Sequence, residues 1–166
     1  MRFLDILFAL VLSLCAASVP AAQPADLFDF WLGDWQLSWT NADGTPGQGR
    51  NRVTKSEGVI EERFDGRPGS PLIGTSVSAY DKTVGRWRQT WVDNMGGYLD
   101  FMGGKEGDTF VFARSFERAG KKVMQRMVFS DIKPQSFTWD WQKSDDGGAT
   151  WQSTWKLNYT RVPAAR

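Results

Sequence analysis

Polar residues that share a strand face with aromatic residues are the strongest candidates for chemistry in this sequence. Residues alternate between two faces along Trp87–Asp93, which places Gln89 and Asp93 on one face. The indole rings of Trp87 and Trp91 share that face. Small-molecule pockets are mostly apolar and carry a few placed polar groups, so this face is suited to line such a pocket.

Two further segments follow the same pattern. Arg114 shares a face with Phe112, and Gln125 shares a face with Met127. A buried charge must be paired, so we expect Asp93 to pair with Arg114 and to orient a carboxylate or hydroxyl ligand. The alternatives are a purely structural polar network, or a one-residue error in the alternation that turns these groups outward. The predicted ligand-binding residues are Trp87, Gln89, Trp91, Asp93, Arg114, Gln125, Trp139 and Trp141.

Several kinds of catalysis are excluded by composition. The sequence has no histidine and one cysteine, Cys15. Ser-His-Asp and Cys-His catalysis, haem bound through histidine and zinc sites built from His or Cys are therefore ruled out, and we expect neither a metal nor a cofactor. An enzyme built on this chain would use Asp, Glu, Tyr or Arg, with Asp93 or Tyr98 as candidates for acid–base work. Glu61 and Glu62 are neighbours in a strand, point to opposite faces, and are interpreted as solvated charges.

The N-terminal residues resemble a secretory signal. A short charged start precedes an apolar run, Ile6–Val19, and small residues follow up to Ala22. The run is too short to span a bilayer, which takes about 20 apolar residues. We therefore expect cleavage after Ala21 or Ala22, a periplasmic or secreted protein, and no stable membrane insertion afterwards. A net charge of +1 does not favour nucleic acid as a partner.

The remaining residues, 23–166, are predicted to form one all-β domain. Short alternating segments recur at intervals of roughly ten residues and are separated by Gly, Asp, Asn and Pro, which is typical of antiparallel sandwiches and barrels. The segment before them, "PADLFDFWLG", is predicted to form one helical turn. The predicted strands are Asp34–Asn41, Arg50–Ser56, Val59–Phe64, Leu72–Tyr80, Arg86–Val92, Tyr98–Met102, Thr109–Phe116, Val123–Asp131, Ser136–Lys143 and Trp151–Arg161.

The stretch "SDDGGATW", Ser144–Trp151, resembles the Asp-box of sialidases, a turn that braces a hairpin away from the active site. Asp146, Gly148 and Trp151 occupy its key positions. Here the motif occurs once, between two predicted strands, in a chain too short for a propeller. Glycine tolerates positive φ, and an Asp carboxylate can accept backbone N–H bonds within a turn. We therefore interpret the motif as a structural turn, with Trp151 on the face of Trp155.

Two other stretches resemble known families. Gly33-x-Trp35 in "FDFWLGDW" is similar to the opening motif of lipocalins and related calycin barrels. In those folds the tryptophan closes one barrel end beneath an arginine of the last strand, a position that Arg161 would match. "AYDKTVGRWRQTWVDNMGG", residues 79–97, resembles the bacterial domain-of-unknown-function family 1579. The resemblance implies an antiparallel lipocalin-like (calycin) β-barrel of eight to ten strands and assigns no catalytic residues.

Three functions fit these observations. The first is an exported protein that binds a small, partly apolar ligand inside the barrel, with Trp87, Trp91, Trp139 and Trp141 as pocket walls. The second is an acid–base enzyme that needs neither histidine nor cysteine. The third is an envelope protein-interaction module, which predicts a filled barrel and a sizeable exposed apolar patch.

Overall fold

The computed structural model describes residues 24–163. The predicted signal peptide, residues 1–22, and its cleavage site lie outside the described residues. Two single-turn 3₁₀ helices, Pro24–Asp26 and Asp29–Trp31, come before the first strand. Neither of these helices has the length or apolar character needed to cross a membrane.

Ten antiparallel strands form one closed barrel. Each strand pairs with its neighbours in sequence, and β1 pairs with β10 to close the sheet. The predicted all-β, lipocalin-like barrel is therefore confirmed. The strands are β1 Gly33–Thr40, β2 Pro46–Ser56, β3 Val59–Asp65, β4 Ile73–Asp81, β5 Arg86–Asp93, β6 Tyr98–Glu106, β7 Thr109–Arg118, β8 Lys121–Lys133, β9 Ser136–Ser144 and β10 Gln152–Arg161.

Strands β2 and β6 extend well beyond one predicted end, because glycines that resemble turn residues lie within them. Gly47 in β2 faces Trp39, and a Cβ there would collide with the indole ring. Gly103 in β6 faces the backbone of β7, and a Cβ there would collide with the carbonyl oxygen of Val111. Both glycines mark a close approach rather than the end of a strand.

The chain before β1 fills one end of the barrel. Phe28 is fully buried and stacks on Phe110 with ring centroids 4.4 Å apart. The indole of Trp35 donates to the carbonyl of Trp31 at 2.8 Å, and the guanidinium of Arg161 lies 4.1 Å from the centre of a ring of Trp35. Arg161 also donates to the carbonyl of Leu32 at 2.6 Å. The structure thus places Gly33, Trp35 and the last strand together at a closed end.

The stretch Ser144–Trp151 is a hydrogen-bonded turn between β9 and β10. The Asp146 carboxylate accepts bonds from the backbone N–H of Thr150 at 3.0 Å and from its hydroxyl at 2.6 Å. These bonds, together with one from the Ser144 hydroxyl, hold the pKa of Asp146 well below its usual value. Gly148 has a φ of +97° and its carbonyl accepts the indole N–H of Trp151 at 3.1 Å.

The prediction that the Trp151 side chain lies on the same face as Trp155 is wrong. A register shift between Ser153 and Trp155 changes the alternation within β10. Trp151 consequently lies on the outside of the barrel, where the guanidinium of Arg126 is 4.0 Å from its ring centre. A bulge reverses the direction of the side chains that precede it in the strand. The spacing of residues in the sequence does not reveal the bulge.

Candidate ligand-binding site

A cavity of about 250 Å³ lies inside the barrel, between the buried N-terminal segment and the ends of β5 and β6. An engineered apolar cavity of about 150 Å³ holds benzene, so this cavity has room for roughly ten non-hydrogen atoms. The interaction-module hypothesis predicted a filled barrel, and this cavity contradicts that prediction. The cavity is lined by Trp31, Glu62, Phe64, Leu72, Trp91, Asp93, Leu99, Phe101, Met127, Phe129, Trp139, Trp141, Trp155, Leu157 and Tyr159.

Indole rings form one wall of the cavity. Trp139 and Trp141 lie nearly parallel, at an angle of 14°, with ring centroids 6.2 Å apart. Trp155 stands almost perpendicular to Trp139, at 89° and 5.9 Å. Flat aromatic walls favour a planar or cyclic apolar molecule. Of the predicted ligand-binding residues, Trp139, Trp141, Trp91 and Asp93 reach the cavity.

The Asp93 carboxylate is held by groups of its own strand end. It accepts the indole N–H of Trp91 at 2.8 Å and the backbone N–H groups of Met95 and Gly97 at 2.9 and 2.8 Å. These bonds, led by that from Trp91, lower the pKa of Asp93. Asp93 is therefore a fixed anion that orients the Trp91 ring, and it is unsuited to supply a proton near neutral pH.

The expected pair between Asp93 and Arg114 does not form. β5 and β7 are separated by β6, and the Asp93 oxygens are satisfied locally. The Arg114 guanidinium instead lies over Phe116 and Phe101, 4.8 and 5.9 Å from their ring centres. One guanidinium nitrogen, Nη1, is buried without an acceptor among the described residues. Gln125 lies opposite Arg114 in the sheet, and neither residue lines the cavity.

Trp87 and Gln89 also lie away from the cavity, towards the closed end. Trp87 is 1% exposed, packs on Phe28 and donates its indole N–H to the carbonyl of Pro24 at 3.2 Å. The amide of Gln89 donates to the hydroxyl of Ser78 at 2.9 Å, and both residues are buried. These contacts belong to the barrel core. Four of the eight predicted binding residues therefore do not line the cavity: Trp87, Gln89, Arg114 and Gln125.

Glu62 is the principal functional candidate that the sequence did not reveal. Its interpretation as a solvated charge is wrong, because β3 directs Ile60, Glu62 and Phe64 into the barrel. The carboxylate accepts the Asn51 amide at 2.7 Å and the Ser76 hydroxyl at 2.6 Å. Burial outweighs these two bonds and raises the pKa of Glu62 from 4.5 to about 7. The signal in the sequence was the spacing of β3, since Glu62 lies midway between Ile60 and Phe64 and shares their face.

Two further polar groups belong to residues that line the cavity. The Tyr159 hydroxyl accepts the Asn51 amide at 3.1 Å, and burial, followed by the charge of Glu62, raises the pKa of Tyr159 well above its usual value. The indole N–H of Trp31 is buried and has no acceptor within the described part of the chain. Trp31 is 2% exposed and lines the cavity, so an acceptor on a bound molecule would satisfy this donor.

The cavity can therefore hold an apolar ring and exchange hydrogen bonds with a few buried groups. Within residues 24–163 no group of three His, Cys, Asp or Glu side chains is arranged to hold a metal ion. When ionised, Glu62 can accept a hydrogen bond or form an ion pair with a cation. When neutral, it can donate a proton.

Comparison with known proteins finds only weak similarity. No protein-family model and no curated protein matches the sequence. Among solved structures, a redesigned β-barrel is similar over 84% of this chain and 96% of that chain, with 15% identity and a TM-score of 0.36. A second, described as EF1p2_mFAP2b bound to DFHBI, is similar over 84% of this chain and 100% of that chain, with 18% identity and a TM-score of 0.35. Similarity at this level supports no statement about what the chain binds.

Proposed function

We propose that this protein binds a small, partly apolar molecule inside its barrel. The observation that carries the proposal is the interior cavity of about 250 Å³, whose wall is mostly aromatic and carries a few polar groups. Specific small-molecule sites have this composition, since apolar walls supply affinity and sparse polar groups fix orientation.

The test is calorimetric titration of residues 23–166 with 2-naphthol, a neutral molecule of two fused rings. A ligand of this size typically gains enough apolar burial for a dissociation constant of roughly 0.1 mM. Leu99→Trp places a large ring into the cavity and should weaken binding at least tenfold. Tyr98→Trp changes the next residue of β6, which is 68% exposed, and should leave binding unchanged.

Native mass spectrometry of the protein purified gently from its own cells gives a second test. A discrete extra mass that is released on denaturation would support the proposal and identify the ligand class. If 2-naphthol binds the Leu99→Trp variant as tightly as the parent protein, or if no small aromatic probe binds at all, the cavity is not a binding site and the proposal is wrong.

An acid–base enzyme is the second candidate, and Glu62 is the observation that favours it. A carboxyl whose pKa is near 7 can both take and give a proton at neutral pH, whereas the pKa of Asp93 is lowered. Tyr98, the other residue nominated from the sequence, is exposed. The extracted ligand distinguishes the two functions. A binding protein returns it unchanged after incubation, and an enzyme converts it at a rate that Glu62→Gln abolishes.

We also propose that the chain is exported and belongs to the domain-of-unknown-function family 1579. Support for export comes from the apolar run and small residues before Gln23, and support for the family comes from the segment 79–97. N-terminal sequencing of the periplasmic or secreted protein checks export. The mature chain should begin at Ala22 or Gln23, and an intact Met1 on the mature protein would contradict the prediction.

A further inference from the structure

The charges around the cavity are all of one sign. Two of its lining residues carry carboxyl groups, Glu62 and Asp93, and no lysine or arginine of the described chain is among the lining residues. The strands beside and across from Glu62 present Asn51, Ser76 and Tyr159 to it, and none of these is a cation. An ionised carboxylate in such surroundings is stable only with a counter-charge.

The two carboxylates are not equivalent. Asp93 has three N–H donors from Trp91, Met95 and Gly97, which disperse its charge. Glu62 has two donors, one to each oxygen, and a carboxylate offers about four lone-pair sites. Glu62 therefore retains acceptor capacity at the cavity, where a bound group can reach it.

The rest of the wall is also suited to a cation. Five tryptophans line the cavity, Trp31, Trp91, Trp139, Trp141 and Trp155. The face of an indole ring is electron-rich and attracts organic ammonium groups, more strongly when water is excluded. The buried N–H of Trp31 has no acceptor among the described residues, and it would be satisfied by an acceptor atom elsewhere on the same ligand, not by the ammonium group.

We propose that the ligand is an organic cation, a protonated amine on a small aromatic or cyclic body, with its nitrogen at Glu62 and its ring against the tryptophans. This inference rests on the proposed function and names the ligand class for the same cavity. It replaces the carboxylate or hydroxyl ligand that the sequence suggested, because Arg114 does not reach the cavity.

Three probes of nearly equal shape test the charge preference: 2-phenylethylamine, 2-phenylethanol and phenylacetate. At pH 8 the amine is still protonated and Glu62 is mostly ionised. We expect calorimetry to show the amine binding at least tenfold more tightly than the alcohol, and phenylacetate more weakly than either. Glu62→Gln should bring the amine and the alcohol within about twofold, whereas Glu61→Gln, at the exposed neighbouring position, should retain the preference.

The pH dependence gives a second measurement on the unaltered protein. Glu62 loses its proton around pH 7, so the dissociation constant of the amine should fall about tenfold between pH 6 and pH 8. The dissociation constant of the alcohol should change little over this range. Glu62→Gln should remove the pH dependence of the amine.

The outcomes separate this inference from the proposed function. If 2-naphthol binds but the amine binds no better than the alcohol, the cavity is a binding site and the cation inference is overturned. If phenylacetate binds best, the inference is likewise overturned. If neither 2-naphthol nor any of the three probes binds, the proposed function fails as well.

Discussion

Changing Glu62 to glutamine should alter how the stability of the protein depends on pH. In the folded protein the pKa of Glu62 is about 7, against 4.5 for an ordinary glutamate. Between these pH values the folded chain holds a proton that the unfolded chain has lost. The stability contributed by this proton is complete below pH 4.5 and is lost as the pH rises through 7.

The magnitude follows from the size of that interval. Each pH unit between 4.5 and 7 is worth about 1.4 kcal/mol for one proton, so the interval corresponds to about 3 kcal/mol. Glutamine has nearly the same shape and can still bond with Asn51 or Ser76, but it has no proton to lose. The Glu62→Gln variant should therefore lack this loss and be more stable than the parent protein at pH 8.5.

Urea unfolding at pH 4 and at pH 8.5 measures the effect. The drop in the free energy of unfolding between these pH values should be about 3 kcal/mol larger in the parent protein than in Glu62→Gln. Glu61→Gln removes the neighbouring, solvent-exposed carboxyl and should behave as the parent protein does. Equal pH dependence in the parent protein and Glu62→Gln would refute the assignment of a raised pKa to this buried carboxyl.

Other substitutions test the parts of the structure around the cavity. Gly74→Ala should weaken 2-naphthol binding severalfold, because a Cβ there would collide with the Trp91 ring, whereas Gly104→Ala, with open space around it, should not. Arg161→Met should lower the free energy of unfolding in urea by about 2 kcal/mol, since backbone carbonyls at the closed end lose a charged donor. Asp146→Ala should lower the melting temperature in circular dichroism without changing ligand affinity, because its bonds lie within the surface turn.

The sequence by itself determined the architecture. Alternation along the strands and turn residues at regular spacing predicted ten strands, and the closed barrel has ten. Alternation also placed Trp87, Phe112 and Met127 on apolar strand faces, and all three are buried. These features are local, because the direction of a side chain in a regular strand depends only on its position in that strand.

The composition of the site was decided by the tertiary structure. Alternation placed Trp87, Gln89, Trp91 and Asp93 on one face, but the position of a residue along the barrel axis decides whether it lies in the core or at the cavity. The pairing of Asp93 with Arg114 failed for the same reason, since Arg114 lies over Phe101, at the level of Gln89, whereas Asp93 lies at the end of β5.

Glu62 shows most clearly which features the sequence predicts and which only the tertiary structure decides. Its neighbours in β3 indicated an inward direction, and its charge argued for solvent. The two donors that make its burial tolerable, Asn51 and Ser76, come from the two adjacent strands, and Asn51 also bonds to Tyr159 of the last strand. A buried carboxyl is stable only where such donors converge, and closure of the barrel brings them together.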